Sequence, residues 1–336
     1  MARNEFLNGW GSGWFAMADK EDKSSPSTTE ELKNSGADGG DGVALHDATD
    51  AYPSRSERGI PFLQSKTGKR KEEKMEVDQE VLSDSVAYNM NYSNVGYCVI
   101  INNKTFDRST GMGERTGTDV DRDMLEKQFK GLGFQVEVKN NMKRKEMVSY
   151  ITEVAEKDHR QCACFVCILL SHGDEGVIYG TDDYLPIREL TTPFRGDLCR
   201  HLVGKPKLFF IQACRGTDFD EGATTCADND VETDSDSISR QTIPVEADFL
   251  YCYSTVPGYY SWRNVATGSW FVQAFCKVLK ESANSNLELM QLLTRVNRKV
   301  AYDYISFSSD THFSGKKQIP CIVSMLTKEF HFPSPR

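Results

Sequence analysis

The stretch Lys207-Leu208-Phe209-Phe210-Ile211-Gln212-Ala213-Cys214-Arg215-Gly216 seats one cysteine at the end of an apolar run and just before a turn. Pro206 and Gly216 bound the run, which reads as a short buried strand. A thiol at the end of a rigid strand is well placed to act as a nucleophile. Most intracellular cysteines are small buried hydrophobes, however, and this chain has ten, so Cys214 stands out only through its surroundings.

A second apolar strand supplies them. Ala163 to Leu170 runs out into Ser171-His172-Gly173, which puts His172 at a strand end 42 positions before Cys214. Parallel strands that end side by side deliver their last residues to one edge of the sheet, where open α/β folds place their sites. The pair can then meet in space: a thiolate attacks a carbonyl carbon and an imidazole protonates the leaving amine.

The rest of the chain supports such a sheet. Strand candidates are Gly96–Asn102, Phe134–Lys139, Ala163–Ser171, Lys207–Ala213, Asp248–Ser254 and Cys321–Leu326. Amphipathic helices fall between them, marked by Leu125, Phe129 and Leu132, by Trp270, Ala274, Phe275 and Val278, and by Leu289, Leu292, Leu293, Val296 and Val300. The expected class is α/β, a mostly parallel six-stranded sheet flanked by helices on both faces. Residues 1–85 are rich in Ser, Asp, Glu, Lys and Gly and read as a disordered tail, with a basic cluster at Lys66, Lys69, Arg70, Lys71 and Lys74. Residues 215–243 turn acidic and lose apolar periodicity, the mark of a long exposed loop.

At 336 residues and a net charge of −9, the chain has material for one large domain plus a tail and is ill suited to general nucleic-acid binding. No apolar run reaches the length of a membrane helix, and ten cysteines without a signal peptide point to free thiols in the cytoplasm. The pair Cys164 and Cys167 in Cys162-Ala163-Cys164-Phe165-Val166-Cys167 has the C-x-x-C spacing, but no second pair follows it, so packing is expected and no metal or other cofactor.

Gln212-Ala213-Cys214-Arg215-Gly216 also fits the caspase signature Q-A-C-[RQG]-G, which has a histidine upstream. From about Tyr92 to Phe332 the chain resembles the peptidase domain of the executioner caspases, the caspase-3 and caspase-7 group. Matching blocks include Gly117-Thr118-Asp119, Phe194-Arg195-Gly196-Asp197, Pro244-Val245-Glu246-Ala247-Asp248, Pro257-Gly258-Tyr259-Tyr260-Ser261-Trp262-Arg263-Asn264 and Lys317-Gln318-Ile319-Pro320-Cys321.

The resemblance implies a cysteine endopeptidase that cuts proteins after aspartate during apoptosis. Arg115 and Arg263 match the positions that close on the substrate aspartate, and guanidinium grips a carboxylate bidentately. Gln212 adds a neutral donor there, Ser261 lies in the same segment, and Tyr260 and Trp262 offer apolar faces to a small aliphatic neighbour. Asn264, Trp270 and Phe307 match a distal pocket for a second acidic residue, which implies Asp-x-x-Asp substrates; Phe313 aligns nearby, and Ser309 stands where relatives carry an aromatic. Gly173 and Cys214 are the expected backbone donors to the oxyanion, and a backbone carbonyl is expected to orient His172.

The family is made as zymogens. Val231-Glu232-Thr233-Asp234-Ser235 resembles a sequence that initiator caspases cut, which divides the peptidase into a large segment, 86–234, and a small one, 235–336. Asp50 is the first choice for release of the tail, with Asp78 and Asp84 as runners-up. The tail is too patternless for the adaptor domain of an initiator. Implied partners are exposed Asp-containing loops of protein substrates, initiator caspases, inhibitor-of-apoptosis proteins, and a second copy joined through the last strand; activated enzyme is also expected in the nucleus. A catalytically silent scaffold is the alternative, but it predicts loss of Cys214, His172, Arg115 or Arg263, and all four are present. A peptidase of the same fold specific for basic residues would need an acidic pocket, against which the two arginines argue.

Overall fold

The computed structural model describes residues 85–220, 244–283, 285–308 and 311–335. Asp50, Asp78, Asp84, the basic cluster at 66–74, Ser309 and the expected cut at Asp234 lie outside them.

In chain order the elements are β1 (Asn94–Asn102), α1 (Thr118–Gly131), β2 (Gln135–Asn140), α2 (Arg144–Glu156) and β3 (Cys162–Leu170). Three short strands follow, β4 (Gly173–Asp174), β5 (Val177–Tyr179) and β6 (Tyr184–Pro186), then α3 (Ile187–Thr191) and β7 (Lys207–Gln212). The last part holds β8 (Phe249–Tyr253), the paired β9 (Arg263–Asn264) and β10 (Gly268–Ser269), α4 (Trp270–Glu281), α5 (Leu289–Asp303) and β11 (Cys321–Ser324). All six expected strands are present, each shifted at its ends by a residue or two. The helix α2 and the small antiparallel sheet β4-β5-β6 are additions to the sequence reading.

The main sheet runs β11-β8-β7-β3-β1-β2, parallel throughout except for β11, which lies antiparallel to β8 at one edge. Its central strands are buried on both faces, which is why they read as continuous apolar runs. Along β3 the two-residue period sends Cys164, Val166, Ile168 and Leu170 into one core with α1, α4 and α5. Phe165, Cys167 and Leu169 face the other, with α2 and α3. Cys164 and Cys167 therefore point to opposite sides of the sheet, and their C-x-x-C spacing cannot converge on one ion. Burial pushes both thiols well above their ordinary range.

Register carries the fold to its function. Leu170 of β3 lies opposite Gln212 of β7, and Asn102 of β1 lies opposite Leu170. His172 and Cys214 each follow two residues beyond a paired position, so they emerge at the same edge. At the other end, Gly96 of β1 adopts φ 141°, and a Cβ there would collide with the carbonyl oxygen of Cys164 on the neighbouring strand. Gly96→Ala is expected to cost about 3 kcal/mol of stability. Gly131→Ala, at the end of α1 with open space around it, should be neutral or stabilising by roughly 0.5 kcal/mol. Urea denaturation of both variants checks the contrast; equal midpoints would refute it.

Candidate active site

Cys214 leaves the end of β7 almost fully buried, at 1 % exposure. The Ser261 N–H donates to its Sγ at 3.1 Å, and the Ser261 carbonyl oxygen lies 3.8 Å from the sulfur. An N–H aimed at the sulfur favours negative charge on it. The backbone before and after the thiol is clamped. Ser254 Oγ accepts from Ala213 N and donates to its carbonyl, while Arg215 N and O exchange hydrogen bonds with Tyr259 O and Gly258 N. The Arg215 guanidinium lies 4.1 Å above the Tyr253 ring and pairs with Glu175 at 2.8 Å.

Gly173 shows how closely the two strand ends approach. A Cβ at this position would stand 2.8 Å from Ala213 Cβ and 3.1 Å from the Cys214 carbonyl oxygen, so a bare backbone is required. The neighbouring His172 ring rests on Phe106, with centroids 4.7 Å apart, and its Nε2 lies 2.8 Å from the Gly113 carbonyl oxygen. A carbonyl only accepts, so Nε2 carries the hydrogen, and in the neutral ring Nδ1 is the basic nitrogen. Gly113 thus supplies a backbone carbonyl to the histidine, of the kind the resemblance implied.

The two arginines are buried side chains, each fixed to backbone. Arg115, fully buried, donates from Nη1 to Thr118 Oγ1 at 2.8 Å and to the Asn103 carbonyl at 3.1 Å. Arg263 donates from Nε to the Thr116 carbonyl at 2.9 Å. Gln212 Nε2 donates to Ser261 Oγ at 2.7 Å, which ties the residue two before the thiol to the same segment. The sequence reading missed Asp121, a fully buried carboxylate whose Oδ1 accepts the Ser269 N–H at 2.8 Å. Burial pushes its pKa up to about 6, and the Ser269 hydrogen bonds and the charges of Arg263 and Arg115 hold it from rising further. An aspartate in the first turn of a helix ordinarily reads as a complement to the helix dipole, so its burial left no signal.

The aromatic residues of the expected subsites fall into separate groups. Trp262 donates its backbone N–H to Gln318 Oε1 at 2.7 Å and its ring stacks on Trp270 at 5.8 Å, which in turn stacks on Tyr304 at 5.5 Å. Phe307 stands in solvent at 95 % exposure. Asn264 turns its Oδ1 to the N–H groups of Ala266 and Thr267, at 2.9 and 3.0 Å, and so braces the β9–β10 turn. Phe313 and Tyr260 meet instead around Phe219, a residue the sequence reading left within the acidic loop.

Asp121 gives a pH dependence with a definite sign. Its folded pKa of about 6 exceeds the usual 3.8, so the folded state holds the proton more tightly and loses stability as pH rises between those values. The loss is roughly 3 kcal/mol. Asp121→Asn stays neutral, so its stability relative to the parent should rise from pH 4 to pH 7 in denaturant titrations. A constant difference would show that Asp121 does not titrate in this window.

Comparison with known proteins agrees with this arrangement. A family model described as the caspase domain matches residues 95–331. Caspase-7 of Gallus gallus is 53 % identical over 292 residues, covering 85 % of this chain and 94 % of the relative. Caspase-3 of Mus musculus is 55 % identical over 256 residues, 76 % of this chain and 90 % of the relative. Among solved structures, the crystal structure of caspase-1 from Spodoptera frugiperda matches with a TM-score of 0.69 and 42 % identity, covering 78 % of this chain and 99 % of that one. With its six-stranded sheet and in-register strand ends at Cys214 and His172, the chain belongs to the caspase family.

Proposed function

We propose that Cys214 is the nucleophile and His172 the proton carrier of the aspartate-specific cysteine endopeptidase that family membership makes this chain. The observation that carries the reading is the common edge of β3 and β7, where the thiol and the imidazole emerge at equal offsets from paired residues. The Cys214 thiol gives its proton to His172, the resulting thiolate adds to the scissile carbonyl, and the N–H groups of Gly173 and Cys214 receive the oxyanion. Collapse of the intermediate expels the amine, which takes a proton from His172, and leaves a thioester. Water, deprotonated by His172, then attacks the thioester; the acid product leaves and the thiol is restored.

Arg115, Arg263 and Gln212 select the aspartate. A guanidinium pair offers donors that match a carboxylate, so an uncharged side chain in the pocket forgoes that match and is rejected by roughly 10⁴-fold. Ser261, Tyr260 and Trp262 hold the residues beside it, and Asn264 and Trp270 lie toward a distal acidic position. Phe307, exposed to solvent, completes that distal pocket with them, and the three together favour Asp-x-x-Asp sequences.

The enzyme acts on protein substrates and assembles as a dimer of large and small segments. The edge position of β11 suits it for the joint between copies. We assign the activating cut to Asp234 and release of the tail to Asp50, with initiator caspases as the agents and inhibitor-of-apoptosis proteins as antagonists. Among the described residues no helix is long and apolar enough to cross a membrane. We place the enzyme in the cytoplasm, with entry to the nucleus after activation.

A fluorogenic assay with peptides ending in aspartate, before and after treatment with an initiator caspase, tests these assignments. Cys214→Ala should abolish turnover, and Arg263→Ala should lower kcat/KM by at least about 10³-fold. Activity surviving either substitution refutes that residue's role. Mass spectrometry of the fragments locates the cuts, and a chain left intact by the initiator would sink the zymogen assignment.

A further inference from the structure

Phe219 stands among Tyr260, Trp262 and Phe313. Its ring stacks on Tyr260, with centroids 4.4 Å apart and planes at 19°, and lies 5.9 Å from Trp262. Phe313 and His312 meet it edge-on at 5.3 and 5.1 Å, and the Lys316 ammonium sits 5.7 Å from its centroid. Offset and edge-on contacts of this kind are the favourable geometries for aromatic rings.

The ring is also fastened from both sides through the backbone. Asp218 N donates to the Gly258 carbonyl at 2.8 Å, Tyr260 N donates to the Asp218 carbonyl at 3.0 Å, and Lys317 N donates to the Asp220 carbonyl at 2.9 Å. Just upstream, Gly216 adopts φ 152° and packs so closely on Gly258 that a Cβ would collide with it. These three hydrogen bonds hold the backbone on either side of the ring, and its contacts with Tyr260, Trp262 and Phe313 hold the ring itself.

We propose that Phe219 is a specificity-determining residue, a fixed wall of the pocket for the residue that precedes the cleaved aspartate. This rests on the aspartate-specific activity and on Tyr260 and Trp262 as the faces met by that residue. Because Phe219 already covers one face of Tyr260, the space left beside it suits a small aliphatic side chain and rejects an aromatic one. The acidic loop therefore contributes to substrate choice at its first residues, well before the expected cut at Asp234.

The test uses processed full-length enzyme, its concentration fixed by titration with an irreversible aspartyl inhibitor, and two peptides that differ only in valine or phenylalanine before the terminal aspartate. In Phe219→Ala the valine-to-phenylalanine ratio of kcat/KM should fall at least tenfold, with Phe219→Leu between it and the parent, in keeping with about 10–200-fold per methylene-sized change in an apolar pocket. A ratio within twofold of the parent overturns the proposal. So does an equal rise of kcat/KM on both peptides, the mark of a removable plug rather than a wall. A parent enzyme that cuts neither peptide would defeat the activity itself, an outcome distinct from an active parent whose ratio Phe219 does not control.

Discussion

The pairing of β3 with β7, with Leu170 opposite Gln212, is the constraint on which the site depends. A slip of one residue would exchange the faces of either strand, send Cys167 and Phe209 into the wrong core and set the thiol out of step with the imidazole. Two differently built cores guard against it. One face packs Phe210 against Phe275 and Phe129, and the other packs Phe209 against Phe165 and Phe194. Packing selects the register, and the register places the chemistry.

A second constraint follows from charge. Arg115 and Arg263 are buried before any substrate arrives, and their burial is helped by backbone carbonyls on both, by Thr118 on Arg115 and by the carboxylate of Asp121 within electrostatic reach of both. The first turns of α1 make both attachments. Thr118 holds Arg115 directly, while Asp121 holds Ser269, whose partner across the β9–β10 ladder is Arg263. One helix end thus sets the spacing of two arginines from distant parts of the chain.

Much of this was legible in the sequence because parallel strands are buried on both faces and leave long apolar runs between turn residues. The expected helices did not include α2, although Met147, Tyr150, Ile151 and Val154 follow a helical period there. The strands β4 to β6 were not legible, because two or three residues are too few to show a period. Phe219 was hidden by composition: a lone aromatic among aspartates reads as loop, and only its partners Tyr260, Trp262, His312, Phe313 and Lys316 reveal a pocket. Phe307 owes its place in the distal pocket to the family resemblance alone, since an exposed aromatic in a loop leaves no periodic signal.

The parallel pairing of β7 with β8 carries a consequence for the molecularity of folding. Lys207 to Ile211 lies against Phe249 to Tyr253, yet the acidic loop with the expected cut runs between these strands in the chain. While the loop is whole, this central pair closes within one molecule at the modest entropic cost of a long loop. Once it is severed, the same pair joins two molecules, and its formation depends on their concentration. The cut enzyme would keep its sheet because the cores hold it, but after denaturation in dilute solution its two pieces would have to find each other again. Cleavage at the loop would make a reversible fold into one that persists mainly by never coming apart.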